Sequence, residues 1–216
     1  MNYKSLWSNL PNELQLEFNK KSTQLIFKRG EFVYQVTDKP EGLYFVESGL
    51  VGLTLIGPSG KDHLLRFFKP QQFFGHRSLF ADEAYHGSAL ALDKTKLLFL
   101  SKTTVLAALE KYPSLYLDIV KVLAKELRRA ELQHVRLVEN QILSRVAQSL
   151  VYLKDMNSDH QWTRQEIATF CGSTPSTVIK ALSSLESRKL IQQDKRRINI
   201  LDRQGLIDLP IEENIA

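Results

Sequence analysis

From Ser101 to Met156 the chain contains no glycine and a single proline, Pro113. A stretch of that length without a backbone breaker is most simply met by long helix. Pro113 suits the first position of such a helix, where its missing N–H would go unpaired anyway. Beyond it, Tyr116, Val120, Leu123, Leu127, Ala130, His134 and Leu137 alternate at steps of four and three residues. That spacing is the seam of a coiled coil rather than the face of a helix lying on a sheet. A seam needs a partner, and the simplest is the same helix from a second copy across a two-fold axis. The spacing therefore predicts a homodimer with these seven residues at its interface. The competing reading is a helix buried in its own domain's core.

Ahead of this helix the texture differs. Residues 4–20 read as a short amphipathic helix carrying Leu6, Trp7, Leu10, Leu14 and Phe18. Between Ile26 and Leu100 short β-rich runs recur, among them EFVYQV, GLYFVES, LVGLTLI, HLLRFF and KLLFL. Turn residues separate them, as in Lys39-Pro40-Glu41-Gly42 and Gly57-Pro58-Ser59-Gly60. Short strands at such spacings predict an antiparallel sandwich or barrel.

Behind the helix, Thr163-Arg-Gln-Glu166 has the pattern of a capping box. It opens a short helix that Gly172 can end in a left-handed turn. Thr174 then caps a second helix with Pro175 at its first position. Two short helices around a glycine-containing turn predict a helix-turn-helix. The following LIQQDKRRINILD reads as two strands around a basic tip, a β-wing. The second helix is amphipathic in an unusual way, because its outer side offers hydroxyls and one lysine. Bulky apolar groups there would block a DNA groove and carboxylates would repel phosphate. Ser173, Ser176, Thr177 and Lys180 instead suit base edges, with Thr174 at the cap. Arg164, Gln165, Lys195, Arg196 and Arg197 suit phosphate contacts that set register. The net charge of +5 and pI near 9.2 point the same way. Cys171, the only cysteine, excludes an intrachain disulfide and a four-cysteine iron–sulfur ligand set; it reads as a small buried residue. No apolar run reaches the ~18–20 residues of a membrane span, so a soluble, cytoplasmic protein is expected.

TRQEIATFCGSTPSTVIKALSSLESRKLI resembles the helix-turn-helix of the CRP/FNR family of bacterial transcription regulators. GEFVYQVTDKPEGLYFVESGLVGL and QQFFGHRSLF are similar to that family's cyclic-nucleotide-binding-type jelly roll. The resemblance covers nearly the whole chain. It implies an α+β protein with an N-terminal antiparallel β jelly-roll barrel (1–112), a long dimerisation helix (113–139) and a C-terminal winged helix-turn-helix (140–216). It also implies a homodimeric regulator on palindromic double-stranded DNA, with RNA polymerase as a further partner if the protein activates.

The departures from the family pattern carry equal weight. The cyclic-AMP-binding branch places a glutamate after the phosphate-loop glycine and later an Arg-Ser pair; here Gly75 is followed by His76, and His86 and Gly87 hold the later positions. Its adenine-holding Thr-Ser pair is replaced by Ala130 and Glu131. Without the arginine there is no bidentate clamp on a phosphate, which argues against cyclic AMP as effector. The family's ligand site is then expected among Gly75, His76, Arg77, Ser78, His86, Gly87, Ser88, Ala130 and Glu131. It is either altered for an anionic or otherwise different effector or filled by its own side chains, and a haem held through His76 is a third reading. In the second helix Pro175, Ser176 and Lys180 replace the family's base-reading residues, while Thr177 and Val178 are kept, so a different target sequence is expected. His134 would face its symmetry mate, and two protonated imidazoles there would weaken the dimer below about pH 6.5. A neutral, packed or solvent-facing histidine is the plainer alternative. No catalytic or metal-ligating constellation is present: His63, His76 and His86 lack cupin spacing, and no nucleotide-binding glycine motif occurs. A cyclic-nucleotide-like module with no DNA role remains as the rival outside enzymes.

Overall fold

The computed structural model describes residues 10–195 and 197–209, without the side chains of 136–139. Leu6 and Trp7, the Leu137 side chain and Arg196 therefore lie outside the described residues. The chain divides into two compact units that meet at Lys125 and Glu126, inside the long helix.

The first unit opens with helix α1 (Asn12–Lys21), which buries Leu14 and Phe18. Strands follow in the order β1 (Thr23–Phe27), β2 (Phe32–Tyr34), β3 (Gly42–Ser48), β4 (Val51–Ile56), β5 (Asp62–Phe68) and β6 (Phe73–Phe74). A single short helix, α2 (His76–Ala81), precedes β7 (Ser88–Ala91) and β8 (Thr95–Ser101). The strands form two antiparallel four-stranded sheets, ordered β1-β8-β3-β6 and β2-β7-β4-β5. This is the expected jelly roll.

Side chains alternate across each strand, and β3 uses both faces. Val46 joins Val51, Leu53, Phe68, Phe74 and Leu97 in the apolar layer between the sheets, and Tyr44 packs against it. Leu43 and Phe45 face the other way, onto Leu14, Phe18, Val105, Leu109, Leu115 and Ile119. Those last residues come from α1, from α3 (Lys102–Lys111) and from the first turns of α4 (Ser114–Glu139). Ser101 caps α3 by accepting from the Thr104 N–H at 3.3 Å.

Helix α4 is 26 residues long, about 39 Å at 1.5 Å per residue. Its first half packs into the first unit. Leu115 and Ile119 belong to the core of the first unit, with Val122 and Leu123 packed against it. Leu123, placed on the seam by spacing, therefore also has an intrachain contact.

The second unit continues with α5 (Ile142–Met156), α6 (Arg164–Cys171), α7 (Pro175–Ser187), β9 (Ile191–Asp194), β10 (Arg197–Ile200) and α8 (Arg203–Ile207). Its buried residues include Val146, Leu150, Leu153, Trp162, Ile167, Val178, Leu182, Leu185, Ile198 and Leu206. Tyr152 and Phe170 stack at 5.2 Å across α5 and α6.

Candidate functional site

The helix-turn-helix is built from hydrogen bonds that the sequence specifies locally. The Thr163 hydroxyl accepts from the Glu166 N–H at 3.1 Å, and the Glu166 carboxylate accepts from the Thr163 N–H at 2.8 Å. Gly172 ends α6 with φ 66°, a conformation that side chains with a Cβ resist. The Thr174 hydroxyl caps α7, accepting from the Thr177 N–H at 3.3 Å and bonding the Ser176 and Thr177 hydroxyls at 3.0 and 2.8 Å. Cys171, the last residue of α6, is buried, and burial pushes its thiol up from the ordinary range.

Helix α7 divides cleanly. Val178, Ala181, Leu182 and Leu185, spaced i, i+3, i+4, i+7, are buried. Ser176, Lys180, Ser183 and Ser187 are exposed on the opposite side. Ser173 and Thr177 are half-buried at its start, Thr174 is exposed, and Gln165 is exposed at the start of α6. Lys195 and Arg197 are exposed at the β9–β10 turn, where Lys195 adopts φ 52°.

Arg164 is placed differently from a free surface cation. Its guanidinium is partly buried and donates to the Gln193 side-chain carbonyl at 2.7 Å. Gln193 in turn donates to Glu186 twice, from its main-chain N–H at 2.6 Å and its amide at 3.0 Å. The main-chain donor first, then the amide and the Arg164 charge, hold the Glu186 carboxyl below its usual range. This chain of bonds ties α6, α7 and the wing together. Spacing gave no sign of it, because the three residues come from separate elements.

Spacing does not single out Ile179 either. It is 52% exposed, beside Lys180, on a helix whose outer side is otherwise polar. The signal available was an apolar residue off the buried spacing.

In the first unit, Gly75, His76, Arg77, Ser78 and His86 come together around one cavity, joined by Tyr34, Leu53, Arg66 and Phe68. Gly87 and Ser88 sit beside it, and the Ser88 hydroxyl is used to accept from the Val36 N–H at 2.9 Å. Ala130 and Glu131 are exposed positions of α4, beyond Lys125. The cavity measures about 20 Å³, room for a single water. Two of its lining residues, Tyr34 and Phe68, are aromatic. Tyr34 and Tyr85 stack at 3.5 Å with 8° between planes, and Arg66 lies 5.2 Å from the Phe68 centroid. His76 is buried, with its ring edge-on to Phe73 at 4.8 Å. Burial, and then the Arg77 charge, push the His86 imidazole below its usual range. The described residues contain no cluster of three potential metal ligands.

On α4, Tyr116, Val120 and Leu127 are 51%, 57% and 62% exposed, and Ala130 and His134 are exposed as well. Leu117, Leu132 and Val135 widen this apolar surface.

The family models agree with this anatomy. Residues 24–112 match the cyclic nucleotide-binding domain and residues 144–209 the Crp-like helix-turn-helix domain. The chain belongs to the CRP/FNR family. Among curated relatives of this family, it is similar to a CRP-like cAMP-activated global transcriptional regulator of Mycobacterium tuberculosis, 26% identical over 83% of this chain and 84% of that protein. The transcriptional regulator LdrP of Thermus thermophilus is 27% identical over 83% of this chain and 93% of its own length. A crystal structure of a CRP/FNR-family transcriptional regulator from Thermus thermophilus superposes with a TM-score of 0.73 at 26% identity, over 87% of this chain and 97% of that one. This CRP/FNR protein is thus a transcription regulator with a cyclic-nucleotide-binding-type domain and a DNA-binding helix-turn-helix. No helix among the described residues is long and apolar enough to cross a membrane.

Proposed function

We propose that the protein acts as a homodimer that reads a palindromic DNA site without cyclic AMP, with 1–112 as sensor domain, 113–139 as dimerisation helix and 140–216 as reading head. The observation that carries the DNA-reading role is the division of α7 into a buried apolar side and an exposed side of Ser176, Lys180 and Ser183. Lysine commonly bonds a guanine edge, and serine accepts several bases. Gln165, Lys195 and Arg197 supply phosphate contacts, while Arg164 contributes through Gln193 by holding the wing against the two helices. The exposed apolar residues of α4 support dimerisation, since a second copy would cover them. RNA polymerase is the further partner if the regulator activates.

The sensor reading rests on volume. A base, a ribose and a phosphate need a site of roughly 300 Å³ or more, and the cavity offers about 20 Å³. The Tyr34–Tyr85 stack occupies the interior, so the domain is self-filled, and the same lack of room argues against haem at His76.

The test is selection of bound duplexes from a random pool, with purified protein and no ligand. A palindromic consensus is expected, with affinity unchanged by added cyclic AMP and falling steeply with salt. Lys180→Ala is expected to cost about 1–3 kcal/mol at one base pair per half-site. Gln165→Ala is expected to weaken all sequences alike. Recovery of no consensus, or a requirement for cyclic AMP, overturns the proposal.

A further inference from the structure

The second unit holds a cleft that base reading does not use. It encloses about 360 Å³ and is walled by Lys154 near the end of α5, by the link residues 158–162 and by Arg197 and Asn199 of β10. That size lies at the low end of small-molecule sites, roughly 300–1,000 Å³.

Its floor is fixed. Trp162 is buried and donates its indole N–H to the Asn157 carbonyl at 3.2 Å, and the His160 ring meets it edge-on at 4.3 Å. Its rim carries two cations. The Lys154 ammonium donates to the Ser158 carbonyl at 3.2 Å and, among the described residues, has no other hydrogen bond. Arg197 is exposed and makes no hydrogen bond or ion pair with a described residue, although Asp194 stands opposite it in the strand register. The one carboxylate on the rim, Asp159, accepts from the Ser158 hydroxyl at 3.5 Å.

These two cations also disfavour one another. Burial first, and then the Arg197 charge, hold the Lys154 ammonium below its ordinary range, with Asp159 acting the other way. An anion between them would offset both effects. A guanidinium fork beside a point-charge ammonium matches a phosphate, which takes bidentate and single charge-assisted bonds together. The exposed Asn199 amide adds a neutral donor.

We propose that this cleft binds a phosphate group, gripped by Arg197 and neutralised by Lys154. The phosphate belongs either to a small phosphorylated molecule or to the DNA backbone beyond the half-site, and the test separates the two. Replacing Trp7 with Phe leaves Trp162 as the single tryptophan of the full chain, so its emission reports the cleft. Pyrophosphate, titrated at constant ionic strength, is expected to change that emission saturably. Lys154→Met, which keeps the apolar stem, is expected to weaken the response about tenfold or more, as loss of a charged hydrogen bond requires. If pyrophosphate is silent but a duplex with long flanks gains affinity over one trimmed to the half-sites, and only with Lys154 present, the phosphate is the DNA's. If neither measurement depends on Lys154 while Lys154→Met keeps its circular dichroism and its binding to the trimmed duplex, the proposal is wrong. The pyrophosphate arm uses no DNA, so its result stands apart from the regulator reading.

Discussion

Leu127→Ala tests the proposed dimer at the most exposed large apolar residue among the described seam positions. Leu127 is 62% exposed, on a helix that also exposes Val120, Leu132 and Val135. Complete burial of a leucine side chain contributes roughly 1.5–3 kcal/mol, so covering the exposed part contributes roughly 1–2 kcal/mol per copy. The two-fold axis applies the change twice, which gives roughly 2–4 kcal/mol per dimer. At the lower end, the dimer dissociation constant rises about 30-fold. Sedimentation equilibrium over a dilution series measures this directly, and the melting temperature of the variant should become more dependent on protein concentration. Leu106→Ala serves as control, because Leu106 is a 39% exposed apolar residue of α3, off the seam. A Leu127→Ala protein that dimerises like the parent, or an equal loss in Leu106→Ala, would refute the assignment of α4 as the shared surface.

Three further outcomes are expected. Ile179 is exposed beside Lys180, and an apolar side chain on a reading helix suits a thymine methyl group; replacing thymine by deoxyuridine in the selected half-site should weaken the parent protein about fivefold or more at one position, and Ile179→Ala should abolish that sensitivity. Thr163→Ala removes half of the capping box and should lower stability by about 1 kcal/mol in chemical denaturation, without altering the preferred DNA sequence; altered preference would mean that Thr163 reads DNA itself. The buried Tyr85 hydroxyl has no hydrogen-bond partner among the described residues, so Tyr85→Phe should leave stability unchanged or raise it by up to about 1–2 kcal/mol, and a clear loss would show that the hydroxyl is satisfied in solution.

The helix-turn-helix was legible because its determinants act over three or four residues. Thr163 with Glu166, Gly172, and Thr174 with Pro175 announce caps and turns whatever surrounds them. The strands were legible as elements for the same reason, since turn chemistry separates them. The cavity was legible only in part. His76, Arg77 and His86 follow from two short segments, but Arg66 on β5 and the Tyr34–Tyr85 stack depend on which strands meet across the sheets. No local pattern encodes that pairing. The self-filled reading of the site was accordingly one of three that the sequence left open. Helix α4 shows a different limit. A four-and-three period identifies an apolar stripe, yet Leu115 and Ile119 form a second stripe on the same helix and pack into the first unit. Spacing counts stripes poorly when one helix has two. The Arg164–Gln193–Glu186 bonds were invisible for the reason that hid Arg66: the partners lie on separate elements that only the fold brings together.

Footprinting of a selected palindromic duplex with hydroxyl radicals, together with the mass of the complex, tests the central claim most directly. Two copies per duplex are expected, protecting two patches whose centres lie about one helical turn, ~34–36 Å, or a multiple of it apart. One copy on an uninterrupted patch, or protection that ignores the symmetry of the site, would contradict it.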